Sequence, residues 1–198
     1  LVQEVTNFIE KWLMRITGGK YKGQKLFVPP GVAIRPTRER VREAIFNILT
    51  QGGEKFGNRD CVDKAKVLDG FSGTGAMGLE AISRGAARVT TVDNSKIALM
   101  CCRKNIENLE EKKKFDTILA DCLNPGPTNE THSLIFLDPP YGLDLLQHAI
   151  KAFSNNGWIG TNAIIVLEMS NTEKNPELNN FIILVKCLEQ VKQSSIII

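Results

Sequence analysis

From Ala65 onward, apolar runs of strand length alternate with stretches of helical period, and that alternation leaves few folds open. Strands are predicted at Lys66–Asp69, Arg88–Asp93, Phe115–Ala120, Leu134–Leu137 and Ala163–Glu168, with helices at Ala76–Arg84, Ser95–Leu109 and Leu143–Phe153 among them. Parallel strands need a crossover, and a helix supplies it. The pattern therefore predicts an α/β, Rossmann-like sheet, mostly parallel and covered on both faces. Two further apolar runs, Phe181–Leu188 and Ser194–Ile198, have no helix between them. Their short junction predicts a closing antiparallel hairpin, bringing the sheet to seven strands.

Ahead of this domain the chain reads differently. Residues 1–13 place Val2, Val5, Phe8, Ile9 and Trp12 at helical spacing before an internal Met14. They contain Glu4 and Glu10 but no arginine, which counts against a transit peptide, and they are read as an N-terminal extension. Residues 14–34 form a second unit. Arg15–Gly19 and Gln24–Val28 suggest a small β-hairpin around a Lys-Tyr-Lys-Gly turn, and Pro29-Pro30-Gly31 ends it. The main domain is then 35–198. It opens on a helix with Thr37 as N-cap, Val41, Ala44, Ile45, Ile48 and Leu49 on the apolar face, and Gly52-Gly53 at its end. Arg38, Arg40 and Arg42 are expected elsewhere on that helix.

Charge divides the chain the same way. Between Met14 and Glu43 eight basic residues oppose only Glu39 and Glu43, a net of +6 that leaves −3 for the remainder of the chain's +3. A basic segment on a slightly acidic body predicts a docking surface for a polyanion, with Arg15, Lys20, Lys22, Arg35, Arg38 and Arg42 as RNA-binding candidates. The 42% hydrophobic and 24% charged fractions suit a soluble domain, and no apolar run nears the roughly 20 residues that span a bilayer. Five cysteines without a C-x-x-C pair predict reduced thiols, no metal site and a cytoplasmic setting. The expectation is a monomer.

Two motifs carry chemistry. Val67–Gly78 spells a strand, a glycine-rich turn and a helix start, and Gly73, Gly75 and Gly78 satisfy G-x-G-x-x-G with Asp93 at the end of the next strand. That is also the dinucleotide fingerprint, so a nicotinamide dehydrogenase is one reading. Asp69 at the tip of the first strand favours another. A carboxylate is unfavourable beside a pyrophosphate but suits the sulfonium and ammonium of S-adenosylmethionine. Neither histidine forms a hydride-transfer constellation, His132 being expected in a loop and His148 on a helix surface. Asp121, ending the third strand, adds a carboxylate at the same edge, where such sheets bind ligands.

The second motif is Asp138-Pro139-Pro140-Tyr141, directly after the apolar run Ser133–Leu137. Proline lacks the N–H of a ladder, so the strand must stop there. The ending presents a carboxylate, fixed carbonyls and an aromatic ring, the parts needed to hold a planar base and grip its exocyclic amine.

The blocks 15–23 (Arg-Ile-Thr-Gly-Gly-Lys-Tyr-Lys-Gly), 35–43 (Arg-Pro-Thr-Arg-Glu-Arg-Val-Arg-Glu), 69–75 (Asp-Gly-Phe-Ser-Gly-Thr-Gly) and 138–141 together resemble the bacterial RsmD-type methyltransferases. The resemblance runs from Met14 nearly to the C-terminus. It implies S-adenosylmethionine-dependent methylation of a guanine N2 amine in small-subunit ribosomal RNA. It also implies Asp69, Phe71, Gly73 and Gly75 around the methionine moiety, Asp93 on the ribose hydroxyls and Asp121 on the adenine amine. Asp138 and the Pro139 carbonyl would accept the guanine amine's hydrogens, followed by Pro140, and Tyr141 would stack on the base. Asn124-Pro125-Gly126-Pro127 departs from the family pattern by interrupting the stretch where a helix between the third and fourth strands is expected. Other readings are a non-catalytic RNA-binding assembly protein, or amino-group methylation of DNA adenine or protein glutamine.

Overall fold

The computed structural model describes residues 14–28, 36–52, 54–140, 145–170, 182–188 and 195–197. The extension over 1–13, the Pro29-Pro30-Gly31 stop, Arg35 and Tyr141 lie outside them, as does the side chain of Arg38.

Nine strands and four α-helices are described. In chain order they are β1 (Met14–Arg15), β2 (Lys25–Leu26), α1 (Pro36–Gln51), β3 (Lys66–Gly70), α2 (Ala76–Ser83), β4 (Arg88–Asp93), α3 (Lys96–Asn108), β5 (Phe115–Leu119), β6 (His132–Leu137), α4 (Leu145–Asn155), β7 (Ile159–Ser170), β8 (Ile182–Leu188) and β9 (Ser195–Ile197). The last seven strands make one sheet ordered β5-β4-β3-β6-β7-β8-β9, parallel throughout except for the antiparallel β8–β9 pair. Strand order reverses between β3 and β6, so a crevice opens at their carboxyl ends. The expected α/β architecture and closing antiparallel pair are therefore present.

Alternation along the strands sorts two cores. Val67, Val89, Leu134, Phe136 and Val166 face α1, α2, α3 and the separate β1–β2 ribbon, while Leu68, Val92, Ile135, Leu137 and Leu167 face α4 and Trp158. Period-two patterning puts Asp69, Asp93, Asp138 and Glu168 in phase with the first set. All four acids thus leave the sheet towards the ribbon and α1.

Several expectations are corrected here. The helix α1 starts at Pro36, whose fixed φ suits a first helical position, so Thr37 is inside the helix and not its N-cap. Its buried face is Val41, Arg42, Ile45, Phe46 and Leu49, rotated from the expected one so that Arg42 points inward. The strands β1 and β2 pair over only two residues each. His132 is a buried strand residue. Its Nδ1 lies 3.0 Å from the Trp158 carbonyl and its Nε2 3.0 Å from the Thr90 hydroxyl. A carbonyl only accepts, so Nδ1 carries the hydrogen and the neutral Nε2 accepts from Thr90. Burial pushes this imidazole below its ordinary pKa. His148 is exposed on α4, as expected.

The ribbon is fastened to the domain by Glu80 of α2, which is fully buried. Its carboxylate accepts the Thr17 N–H at 2.8 Å, the Thr17 hydroxyl at 2.7 Å, Arg42 Nε at 3.2 Å and Arg84 Nε at 2.8 Å. Arg42 Nη2 also donates to the Arg15 carbonyl at 2.5 Å. Three segments distant in sequence, the ribbon, α1 and α2, meet at one acid.

Candidate active site

The turn after β3 is built to expose backbone. Phe71 takes φ +56°, a left-handed conformation unfavourable for an aromatic residue, and its N–H donates to Cys122 Sγ at 3.2 Å. Gly75 takes φ +76° at the start of α2. A Cβ there would lie 2.5 Å from Cys102 Sγ, so α3 can pack closely only against glycine. Gly75 consequently serves the turn and the helix packing and does not itself line the crevice.

That crevice is a cavity of about 430 Å³ between the strand ends, the ribbon and α1. Asp69, Phe71, Gly73, Asp93, Asp138, Pro139 and Pro140 all line it. The sequence reading missed a second wall, made by Met14, Val28, Val41 and Ile45. These looked like ordinary core residues, and nothing in their spacing marks the side that meets solvent. Glu168, which also lines the cavity, was more legible, since it ends a predicted strand as Asp69 and Asp93 do.

The electrostatics of this edge are unbalanced. Asp69 is buried, accepts the Gly78 N–H at 2.9 Å, and among the described residues pairs with no arginine or lysine. Burial first, then the neighbouring Asp138 and Asp93, push its pKa up to about 8, against the Gly78 hydrogen bond. Asp93 accepts the Gly73 N–H and the Ser95 N–H, each at 2.8 Å, which fixes the loop and leaves further lone pairs facing the cavity. Ser72 Oγ is buried beside them with no hydrogen-bond partner among the described residues. An unmatched hydroxyl and an unmatched acid in one cavity are polar groups waiting for a ligand that is cationic at one point.

S-adenosylmethionine fits those requirements. Its volume is suited to a cavity of this size, its sulfonium and ammonium meet an acidic wall, and its ribose hydroxyls need an acceptor such as Asp93.

Comparison with known proteins agrees. A family model described as conserved hypothetical protein 95 matches residues 14–196. The ribosomal RNA small subunit methyltransferase D of Haemophilus influenzae is 34% identical over 170 residues, covering 83% of this chain and 81% of its own length. The Escherichia coli protein of the same name is 34% identical over 161 residues, covering 78% and 74%. This chain belongs to the ribosomal RNA small subunit methyltransferase D family. A solved Haemophilus influenzae structure described as a methylase superposes with TM-score 0.68 at 28% identity, covering 91% of this chain and 93% of that one. Membership in the methyltransferase D family decides between the two readings of the glycine turn, for S-adenosylmethionine and against a nicotinamide.

Besides Gly75, one predicted cofactor residue does not line the cavity. Asp121 stands past the end of β5, exposed, with Oδ1 accepting the Leu123 N–H at 2.9 Å, and it does not line the cavity. The third acid of the row is Asp138. Arg42 lines the cavity but is no free RNA contact, because Glu80 and the Arg15 carbonyl take its guanidinium. The stretch 121–131 contains no helix. Its Gly126 carbonyl instead accepts Trp158 Nε1 at 2.8 Å, tying the loop to the far core.

Proposed function

We propose that this protein transfers the methyl group of S-adenosylmethionine to the exocyclic N2 amine of a guanine in small-subunit ribosomal RNA, as a cytoplasmic monomer. The observation that carries this reading is the shared cavity: Asp138 and Pro139 open onto the same space as Asp69, Phe71, Gly73 and Asp93. The residues that would hold the cofactor are Asp93 at the ribose hydroxyls, with Asp69 and Ser72 at the amino-acid end. Bound there, it supplies an electrophilic methyl group.

The acceptor's difficulty is electronic. A guanine amine is a weak nucleophile because its lone pair is delocalised into the ring. Hydrogen bonds from its N–H groups to Asp138 and the Pro139 carbonyl draw the nitrogen towards tetrahedral geometry and offset its developing positive charge. Once the amine has accepted the methyl group, the proton it loses would leave towards Asp138. Positioning supplies much of the acceleration. The base must leave its stack to reach this depth, with Tyr141 proposed as its stacking partner.

The proposed phosphate-docking residues are Arg15, Lys20, Lys22, Arg35 and Arg38, and at the ribbon the basic surface extends beyond the segment read from sequence. Glu111 accepts the Tyr21 hydroxyl at 2.6 Å, Lys20 Nζ at 3.3 Å and Lys114 Nζ at 3.0 Å, which joins the ribbon's turn to the run Lys112–Lys114. A basic surface of this extent favours nucleic acid over a protein substrate.

Labelled methyl transfer to small subunits and their RNA, taken from cells lacking this protein, tests the proposal. The expected label lies on N2 of a guanine. Asp138→Ala should abolish it while leaving S-adenosylmethionine affinity within about threefold. Label on protein, on DNA or on no guanine would overturn the reading, and near-normal turnover of the variant would remove Asp138 from the chemistry.

A further inference from the structure

The row of strand-end acids does not stop at the amine site. Leu137 of β6 pairs with Leu167 of β7, so Asp138 and Glu168 follow side by side on neighbouring parallel strands, about 4.8 Å apart at the backbone. Both share the phase of Phe136 and Val166, and both line the cavity. Across the sheet the order is Asp93 on β4, Asp69 on β3, Asp138 after β6 and Glu168 on β7. In the function proposed above, the cofactor takes the Asp93–Asp69 end and the amine takes Asp138. The body of the target base therefore continues towards Glu168.

The Watson–Crick edge of guanine presents two donors in succession, the N2 amine and then N1–H. Adenine presents a donor, its N6 amine, and then an acceptor, N1. An ionised carboxylate only accepts. Two adjacent carboxylates therefore match guanine at both positions, whereas adenine would set its N1 lone pair against the second. A carboxylate placed at N1 accepts the hydrogen of guanine and is repelled by the lone pair of an analogue lacking it, which discriminates far more strongly than shape alone can.

We propose that Glu168 is the base-reading residue, accepting the N1–H of the guanine whose N2 amine Asp138 holds, and that it selects guanine against adenine. This rests on the methyl-transfer reading of the same site. Asp138 activates the nucleophile, and Glu168 establishes which base offers it.

The analogue 2,6-diaminopurine separates the two roles, since it keeps the N2 amine and turns N1 into an acceptor. Small subunits reconstituted with RNA carrying guanine or 2,6-diaminopurine at the methylated position are assayed with labelled S-adenosylmethionine. The wild-type protein should prefer guanine by at least about 100-fold in kcat/KM. Glu168→Gln, whose amide can donate to N1, should narrow that preference to within about tenfold while S-adenosylmethionine affinity stays within about twofold. Glu168→Asp, which keeps the acceptor, should retain most of the preference and serves if the glutamine variant fails to fold. Equal use of both bases by the wild type, or an unchanged preference in Glu168→Gln, would overturn the assignment. A wild-type protein that methylates no guanine would defeat the methyl-transfer reading first, and the Glu168 assignment with it.

Discussion

Glu80 and Asp69 are both buried carboxylates on elements joined by the glycine turn, and they could hardly be treated more differently. Glu80 accepts two hydrogen bonds from Thr17 and one from each of Arg42 and Arg84, inside the core that binds ribbon to domain. Asp69 accepts the Gly78 N–H and faces two other acids. A buried charge with matched partners organises a fold. One left unmatched beside a cavity is tolerated only where a ligand completes it. The contrast separates scaffold from site without reference to any relative.

The sharpest way to break that contrast is to remove the matched acid. Glu80→Ala takes the carboxylate from the buried Arg42 and the half-buried Arg84, and unfolding in urea should show a loss of roughly 3–5 kcal/mol. A loss under about 1 kcal/mol would demote the lock to decoration. The reverse experiment is Asp69→Asn. S-adenosylmethionine affinity by calorimetry should fall about 100-fold, while the fold gains stability at alkaline pH. The sign follows from the raised pKa: the stability tied to protonated Asp69 is complete below about pH 4, its ordinary range, and is lost as pH rises through about 8. The melting temperature of the variant minus that of the wild type should thus grow from pH 5 to pH 9. A smaller effect is expected at the turn that separates the two acids. Gly75→Ala combines an unfavourable φ with a collision at Cys102 Sγ, and should cost about 1–3 kcal/mol by thermal or urea unfolding.

The sheet, its order of helices and the glycine turn were legible because their signals are local: strand length, helical period, and a turn that needs glycine. The strand Arg88–Asp93 was predicted to the residue. That Asp69, Phe71, Gly73, Asp93 and Asp138–Pro140 would line one cavity was legible because strand ends in a parallel sheet converge whatever the intervening loops do. What failed depended on tertiary partners. Arg42 looked like one of several surface arginines, and only the burial of Glu80 opposite makes it a core residue. Asp121 looked like the third acid of the row, but β5 ends at Leu119 and its carboxylate turns to Leu123. His132 was assigned to a loop because its partners, Thr90 and Trp158, are distant in sequence. The apolar cavity wall of Met14, Val28, Val41 and Ile45 carries no chemical signal at all until the ribbon is folded over the sheet.

The central claim is that the unmatched carboxylate of Asp69 receives the cationic end of S-adenosylmethionine. Binding then requires that proton to leave, so titration calorimetry between pH 6 and pH 7.5 tests it directly. Affinity in the wild type should rise about tenfold per pH unit, and in Asp69→Asn it should be weak and flat. A wild-type affinity that ignores pH, together with an Asp69→Asn variant that binds as tightly, would contradict the account.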